Sequence, residues 1–318
     1  MTLLSLHNIK YLYNSKESSG ISNLSLTIKR GEITSLIGPS GSGKTTIQKI
    51  VSGELTPQQG SIEKNDIKIF SKTNLNNEDF NDLDPINYLT QDIKDIEKAR
   101  ELLFKFEITN TVYRKSSDLS NGEKQRLALA KLFMNDFDLL ICDEIFSGID
   151  YNNRQIILKI IKDLLIETKR SLIWSTQLCQ DALKFSDVIC VLQFGQVEQI
   201  DKPEVVFFKP RTLFVAQFFG PINVFLIKNS AQGVRTTFKE IKEVTLEHEG
   251  LAIVKPEYIK LGSEYECELE SSVFNGNAYL NTATYKSETL YFYSINKLHS
   301  DKVELDIALN QAHILTEI

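Results

Sequence analysis

The chain has 318 residues and a formal net charge of −6; 42% of the residues are hydrophobic and 25% are charged. This composition is ordinary for a globular protein with room for two cores, and the acidic balance predicts no nucleic-acid partner, because such partners favour basic surfaces. The four cysteines lack C-x-x-C spacing, which argues against a zinc site or a disulfide framework. The sequence shows neither a signal-peptide pattern nor an apolar run long enough to span a bilayer, so we expect a cytosolic protein.

The first predicted elements surround a glycine-rich loop. Leu24–Ile28 alternates with period two, which predicts a half-buried strand of an antiparallel layer. Residues 33–46 contain a complete G-x-x-x-x-G-K-[ST] phosphate loop, and the short apolar run that leads into it predicts a buried parallel strand. A helix expected over Thr45–Ser52 would point its positive N-terminal end at a bound anion.

This loop has the chemistry of a nucleoside-triphosphate site. Its glycines let the backbone turn sharply, so that N–H groups reach phosphate oxygens. Lys44 adds a point charge for the β- and γ-phosphates, and the Thr45 hydroxyl is suited to Mg²⁺. We therefore predict a nucleoside triphosphate and Mg²⁺ as cofactors. The predicted nucleotide-binding residues of the loop are Gly38, Pro39, Ser40, Gly41, Ser42, Gly43, Lys44, Thr45 and Thr46.

The middle of the chain predicts a loop followed by two short elements. Residues 71–85 are rich in Asn and Asp and read as a surface loop. Ile86–Thr90 is predicted to be a strand that ends at Gln91, and Ile93–Glu107 is predicted to be a helix with its apolar side chains on one face.

Alternating strands and helices then predict an α/β domain with a mostly parallel sheet. Asp138–Cys142 is an apolar strand, Asn152–Lys169 an amphipathic helix, and Leu172–Trp174 and Val188–Leu192 are further buried strands. After about Gly220 short strands and turn residues replace the long helices, which predicts a second, β-rich domain.

Two further stretches carry chemistry. The strand before Asp143 and Glu144 has the pattern of a Walker B element, in which Asp143 binds Mg²⁺ and Glu144 accepts a proton from attacking water. In Leu119–Arg126, Ser120 and Glu123 are spaced as a capping box that opens a helix. Such a helix N-terminus has N–H groups suited to a phosphate.

Together these stretches resemble the ATP-binding subunits of ABC transporters, whose signature reads L-S-G-G-Q. The resemblance covers nearly the whole chain and includes a Gln91 loop and Ser147–Asp150, which matches the D-loop. It implies that two copies sandwich two ATPs, each between one copy's phosphate loop and the other's signature. It assigns Tyr13 to stacking on adenine, with Tyr11 as the competing candidate.

The resemblance assigns further residues to the site. For the nucleotide they are Tyr13, Ser120, Asn121, Gly122, Glu123 and Asp150; for catalysis Glu144, Gln177 and Gln91; and for the metal Thr45, Gln91 and Asp143.

Three weaker motifs narrow the resemblance to bacterial importer ATPases of the sugar, polyamine, iron(III) and sulfate/molybdate groups. They are residues 210–223, which resemble the junction after the ATPase domain of those proteins; Val254–Ile259, which matches their R-P-E-x-I element with Lys255 for Arg; and Phe274–Gly276, which is similar to a turn of their small β-barrel (TOBE) domain. The implied partners are a second copy, integral membrane permease subunits and a solute-binding protein, with the chain peripheral at the inner face of the membrane. The expected fold is an α/β P-loop NTPase domain of ABC type with an antiparallel β layer, followed by a small β-rich TOBE-like domain.

The expected domains are an ATP-binding domain over 1–220, with a helical subdomain at about 92–135, a linker over 221–235 and a regulatory domain over 236–318. The chain departs from the family in two places. The segment from Gln91 to Ser120 is short, so the helical subdomain is expected to lack a helix. Gln177 stands where the family has its switch histidine, and the histidines of the chain are His7, His248, His299 and His313.

Two functions are therefore weighed. The first is an ATP-hydrolysing importer subunit, with turnover weakened by Gln177. The second is a hydrolysis-impaired switch whose ATP-driven dimerisation is the signal. DNA-repair and translation members of the family are disfavoured, because they carry coiled-coil insertions or tandem cassettes.

Overall fold

The computed structural model describes residues 1–13, 20–73, 80, 82–109, 112–230, 233–238, 240–242 and 249–316. By its contacts the chain divides into two compact units, Met1–Pro203 and Glu204–Ile318. No helix in the described ranges has the length and apolar character needed to cross a membrane.

The first unit is an α/β unit. Its strands are β1 (Thr2–Leu12), β2 (Gly20–Lys29), β3 (Ile33–Ile37), β4 (Gln59–Lys64), β5 (Ile69–Thr73), β6 (Leu139–Asp143), β7 (Ser171–Thr176), β8 (Val188–Gln193) and β9 (Gln196–Asp201). Its helices are α1 (Lys44–Ser52), α2 (Pro85–Thr90), α3 (Ile96–Lys105), α4 (Asn121–Met134), α5 (Tyr151–Thr168) and α6 (Cys179–Phe185).

Two sheets form the frame of this unit. A six-stranded sheet has the order β5-β6-β7-β3-β8-β9 and is parallel except for the β8–β9 pair. A three-stranded antiparallel sheet has the order β2-β1-β4. Every residue of β3 and β7 is buried, as expected of strands covered on both faces, whereas burial alternates along β2. The predicted parallel sheet and antiparallel layer are confirmed.

Strand β6 shows how the core is divided. Leu139 and Ile141 belong to the apolar cluster that contains α1 and the antiparallel sheet. Leu140 and Cys142, on the opposite face, belong to the cluster that contains α4 and α5. Successive side chains of β6 thus point to opposite faces of the sheet, as they do along any strand, and the parallel sheet lies between two apolar layers. The carboxyl ends of β3, β6 and β7 therefore meet at one edge, and the phosphate loop, Glu144 and Gln177 follow them.

One predicted element is wrong. Ile86–Thr90, predicted to be a strand, lies in helix α2, because Asp84 caps that helix by accepting a hydrogen bond of 3.0 Å from the Asn87 N–H. Pro85 at the first helical position favours the same outcome. The apolar run favoured the prediction of a strand, although Asp84 and Pro85 form a helix-start signal. The predicted loop over 71–85 begins within β5, and its residues 74–79 and 81 lie outside the described residues.

The second unit is rich in β structure. It contains α7 (Pro203–Phe208, whose first residue closes the first unit), α8 (Leu213–Phe218), β10 (Asn223–Ser230), β11 (Gly233–Arg235), β12 (Glu240–Lys242), β13 (Gly250–Val254), β14 (Ile259–Phe274), β15 (Tyr279–Tyr285), β16 (Glu288–Ser294), β17 (Lys302–Ile307) and β18 (His313–Leu315).

These strands form two antiparallel sheets, ordered β12-β11-β10-β13-β18 and β16-β15-β14-β17. Both sheets contribute to one apolar core, which includes Phe225, Phe292 and Leu305. Buried Asn223 joins them, since its side chain donates to the Tyr291 carbonyl at 2.9 Å and accepts from the Tyr291 N–H at 2.7 Å. The expected β-rich character is confirmed. Residues 221–235, predicted to be a linker, carry β10 and β11.

Candidate nucleotide site

The phosphate loop needs glycine at two of its positions. Gly38 and Gly43 have φ angles of 152° and 105°. A Cβ atom on Gly38 would lie 2.2 Å from the Leu192 carbonyl oxygen, and one on Gly43 would lie 2.4 Å from Ile21 Cδ1. Helix α1 begins directly after Gly43, and no side chain caps it. The N–H groups of its first turn are therefore available to an anion.

Lys44 is held inside the loop. Its residue exposure is 6%, and its Nζ donates hydrogen bonds of 2.9 Å to the carbonyl oxygens of Gly38 and Pro39. Burial lowers the pKa of Lys44, while the charges of Glu144 and Asp143 act in the opposite direction. The ammonium group is thus positioned by backbone carbonyls beside two carboxylates, where an incoming phosphate would gain a charge-assisted hydrogen bond.

Asp143 and Thr45 meet across the loop. The Thr45 hydroxyl donates a hydrogen bond of 2.7 Å to Asp143 Oδ2, and the Ser175 hydroxyl donates to Asp143 Oδ1. A hydroxyl and a carboxylate in contact are hard oxygen ligands of the kind that Mg²⁺ takes, usually with phosphate oxygens and water completing the shell. These residues therefore fit the predicted metal.

Glu144 lies between the phosphate loop and Gln177. Its backbone has φ 50°, in the left-handed region, and its N–H donates to Ser175 Oγ at 2.9 Å. Gln177 Nε2 donates to Glu144 Oε1 at 2.9 Å. The structure thus brings two predicted catalytic side chains into contact, although Gln177 follows a different strand.

Tyr13 and Tyr11 have different surroundings. Tyr13 keeps 44% of its surface exposed and accepts a hydrogen bond of 3.2 Å from the Thr46 hydroxyl. Tyr11 packs edge-on against Tyr13, with ring centroids 5.1 Å apart, and contacts the apolar core. Tyr13 is therefore the ring that faces the loop. A pocket of about 260 Å³ is lined by Tyr13, Gly20, Ser40, Gly41, Gly43, Lys44, Thr45, Thr46 and Glu144.

The predicted capping box is present at the start of α4. The Glu123 N–H donates to Ser120 Oγ at 3.3 Å, and the Ser120 N–H donates to Glu123 Oε2 at 2.8 Å. Hydrogen bonds from the Ser120 hydroxyl and N–H hold the pKa of Glu123 below its usual value. A Cβ atom on Gly122 would lie 3.0 Å from Asn153 Nδ2, so the start of α4 packs closely on α5.

The predicted D-loop residue Asp150 caps α5. Its Oδ1 accepts from the Asn153 N–H at 3.1 Å, and Asn153 Oδ1 accepts from Arg126 of α4 at 3.3 Å. The D-loop and the signature are therefore linked within one copy of the chain. Gln91 is exposed at the end of α2. Across the described residues, no hydrogen bond joins Gln91 or 120–123 to the phosphate loop.

Comparison with known proteins identifies the family. The ABC transporter family model matches residues 21–147. The chain is 32% identical over 241 residues, covering 70% of it and 69% of the relative, to the spermidine/putrescine import ATP-binding protein PotA of Borrelia garinii subsp. bavariensis. The chain belongs to the ABC transporter family. It is 29% identical over 340 residues, 96% of either chain, to the protein of the same name from Borreliella afzelii.

Solved structures agree at the level of fold. cbiO1 from Clostridium perfringens, described as part of the ABC transporter complex cbiONQ, matches with a TM-score of 0.57 and 22% identity over 64% of this chain and 90% of that one. As a member of the ABC transporter family the chain is an ATP-binding import subunit and a transport-coupled ATPase. These relatives do not favour the alternative of a hydrolysis-impaired switch.

Ser175 is a site residue of this ABC transporter subunit that the sequence did not single out. It lies in β7 directly beside Asp143 in the parallel register and contacts both Asp143 and Glu144. Its position two residues before Gln177 could have indicated a place in the site. That prediction would have required knowing that its strand, β7, pairs with the Walker B strand β6.

Proposed function

We propose that the chain powers polyamine import by hydrolysing Mg-ATP bound between two copies of itself. The observation that carries the proposal is the contact between Thr45 and Asp143, 2.7 Å apart, beside buried Lys44 and the Glu144–Gln177 pair. A polyamine substrate is supported by the relatives named as spermidine/putrescine import proteins, one of which aligns over 96% of this chain.

In the proposed mechanism each residue has one task. Lys44 and the N–H groups at the start of α1 bind the β- and γ-phosphates. Thr45 and Asp143 would hold Mg²⁺, which supplies charge neutralisation on the phosphates when bound. Glu144 accepts the proton as a water oxygen attacks the γ-phosphorus and the bond to the leaving ADP oxygen breaks. Gln177 orients the Glu144 carboxylate through their 2.9 Å hydrogen bond.

The second half of each ATP site would come from the other copy. Within one chain the signature residues Ser120 and Gly122 are tied to Glu123 and α5, with no bond to the phosphate loop in the described ranges. The capping box occupies the N–H groups of Ser120 and Glu123, and those of Asn121 and Gly122 between them suit a γ-phosphate presented by a partner. Permease subunits and a solute-binding protein complete the proposed transporter, with this chain on the cytoplasmic side, where ATP is available.

The experiment separates hydrolysis from substrate. ATPase activity of the purified chain is measured with and without Mg²⁺, beside the Glu144→Gln variant. Radiolabelled spermidine uptake is then compared in cells that carry the parent or this variant with the permease. Activity that survives Glu144→Gln would overturn the assigned base. Uptake that does not depend on the chain would overturn the polyamine assignment and leave the ATPase intact.

A further inference from the structure

Lys255 is a buried lysine of the second unit, and no carboxylate of the described residues forms an ion pair with it. Lys255 follows β13 and is 8% exposed. Its Nζ lies 3.9 Å from the centroid of the Phe207 ring, a cation–π contact. None of the ion pairs or side-chain hydrogen bonds formed by the described residues involves this ammonium group. A charge removed from water in this way is costly unless a counter-charge reaches it.

A cavity lies beside this lysine. Its volume is about 320 Å³, near the lower end of the range of small-molecule sites. Its polar lining includes Lys209, Lys255, Tyr258, Gln311 and His313, and Ile253 forms part of an apolar floor. Of the residues that the structure describes, no Asp or Glu lines it. This lining is basic, although the chain as a whole carries a net charge of −6.

His313 is fixed at one side of the cavity. Its Nε2 lies 2.7 Å from the carbonyl oxygen of Pro210. Because a carbonyl only accepts, Nε2 carries the proton and donates. The imidazole is therefore held in place by the backbone. Burial lowers the pKa of Lys255, and the charge of Glu257 offsets this only in part.

We propose that this cavity binds a small organic anion, whose carboxylate or phosphate group contacts Lys255 and whose apolar body rests on Ile253 and Phe208. The lysine supplies the charge, while Tyr258 and Gln311 supply hydrogen-bonding groups at the rim. The anion supplies a counter-charge to Lys255, whose ammonium group lies over the Phe207 ring. The site is separate from the nucleotide site in sequence and in chemistry.

The test uses two probes that share an apolar body, benzoate and phenyl phosphate. They are titrated calorimetrically into the full chain carrying Lys44→Ala, so that the phosphate loop does not compete for them. We expect at least one probe to bind in a saturable manner, and the uncharged benzyl alcohol not to bind. A response to benzoate alone assigns a carboxylate, and a response to phenyl phosphate alone assigns a phosphate ester.

Variants locate the site. Lys255→Met should weaken binding by about 10-fold or more, as expected for loss of a charge-assisted hydrogen bond, whereas Lys255→Arg should retain it. Lys260→Met, which removes an exposed lysine of β14, is the matched control and should have no effect. Gln311→Glu leaves Lys255 in place but adds a negative charge to the rim, and it should also weaken binding, whereas Gln311→Met should do so less. Absence of saturable binding, or equal binding by the parent and both Lys255→Met and Gln311→Glu, would overturn the proposal.

Discussion

The side-chain amide of Gln177 donates a hydrogen bond of 2.9 Å to Oε1 of Glu144. The backbone N–H of Glu144 donates to Ser175 Oγ, so the backbone and the carboxylate of Glu144 are each held from the carboxyl end of β7. The bond orients the proposed base, but the amide also occupies a carboxylate oxygen that an attacking water would use. The geometry therefore predicts a base that is well placed and only partly accessible.

We expect Gln177→His to raise kcat by about 10- to 100-fold, which corresponds to about 1.4 to 2.7 kcal/mol of transition-state stabilisation. Glutamine can donate and accept one hydrogen bond each, as a neutral imidazole does, but it cannot become cationic or present a rigid ring to the developing phosphoryl charge. Steady-state ATPase assays and ATP titrations of both proteins measure the change.

Gln177→Leu serves as the control, because leucine is similar in size and removes the bond to Glu144. Its turnover should fall below that of the parent, with little change in ATP affinity. Equal or lower turnover in Gln177→His than in the parent would mean that the site is built around glutamine. The hypothesis that Gln177 weakens ATP turnover would then be dropped.

Lys44→Ala is expected to weaken ATP binding by about 100-fold or more. The variant removes a buried cation whose carbonyl partners, Gly38 and Pro39, already place it for phosphate contact. Calorimetric titration with ATP measures the loss. Lys49→Ala, in the last turn of the same helix, is the matched control and should bind as the parent does. Unchanged affinity in a folded Lys44→Ala protein would contradict the phosphate-loop assignment.

Glu144→Gln should give a dimer that ATP stabilises. The substitution removes the proposed base but leaves Lys44, Thr45 and the signature intact, so bound ATP continues to link two copies. Size-exclusion chromatography with Mg-ATP reports the change in size. Adding Ser120→Arg should abolish the dimer, because the larger side chain would block the start of α4. A monomer at high concentrations of Glu144→Gln and ATP would count against the shared site.

The parts of the site that the sequence predicted are local in the chain. A phosphate loop places its glycines, Lys44 and Thr45 within eight consecutive positions, and a capping box needs only Ser120 and Glu123. Their geometry follows from backbone turns and from the hydrogen bonds of one helical turn. The parallel sheet was predicted for a similar reason, since β3 and β6 are short apolar runs with unambiguous flanking signals.

The parts that were missed depend on non-local pairing or on competing local signals. Ser175 reaches Asp143 only because β6 and β7 pair in one particular register, which apolar strands do not reveal by composition. In α2 an apolar run favoured a strand, but the Asp84 cap and Pro85 decided the backbone. The contact between α5 and α6 is similarly non-local.

Arg154 and Asp181 form a buried ion pair between α5 and α6. Arg154 Nε lies 2.7 Å from Asp181 Oδ2, and the side chains are 13% and 3% exposed. Arg154 Nη1 donates a hydrogen bond of 2.7 Å to the Ile149 carbonyl in the predicted D-loop, and Asp181 Oδ1 accepts one of 2.8 Å from Gln155. The pair thus joins the D-loop to the helix that follows Gln177.

We expect Arg154→Met to lower the free energy of unfolding of the first unit by about 3 to 5 kcal/mol, because it leaves the Asp181 carboxylate buried without its counter-charge. The double variant Arg154→Met/Asp181→Leu should recover most of this loss, since two apolar side chains of similar volume replace the pair. Trp174 is the single tryptophan of the chain; it is fully buried, and its ring centroid lies 5.2 Å from that of Phe185 in α6. Urea unfolding followed by its fluorescence therefore reports on this region. Equal stability of the parent and Arg154→Met would show that water or another group compensates the charge of the Asp181 carboxylate. The ion pair would then no longer explain how α6, the helix after Gln177, is attached to α5.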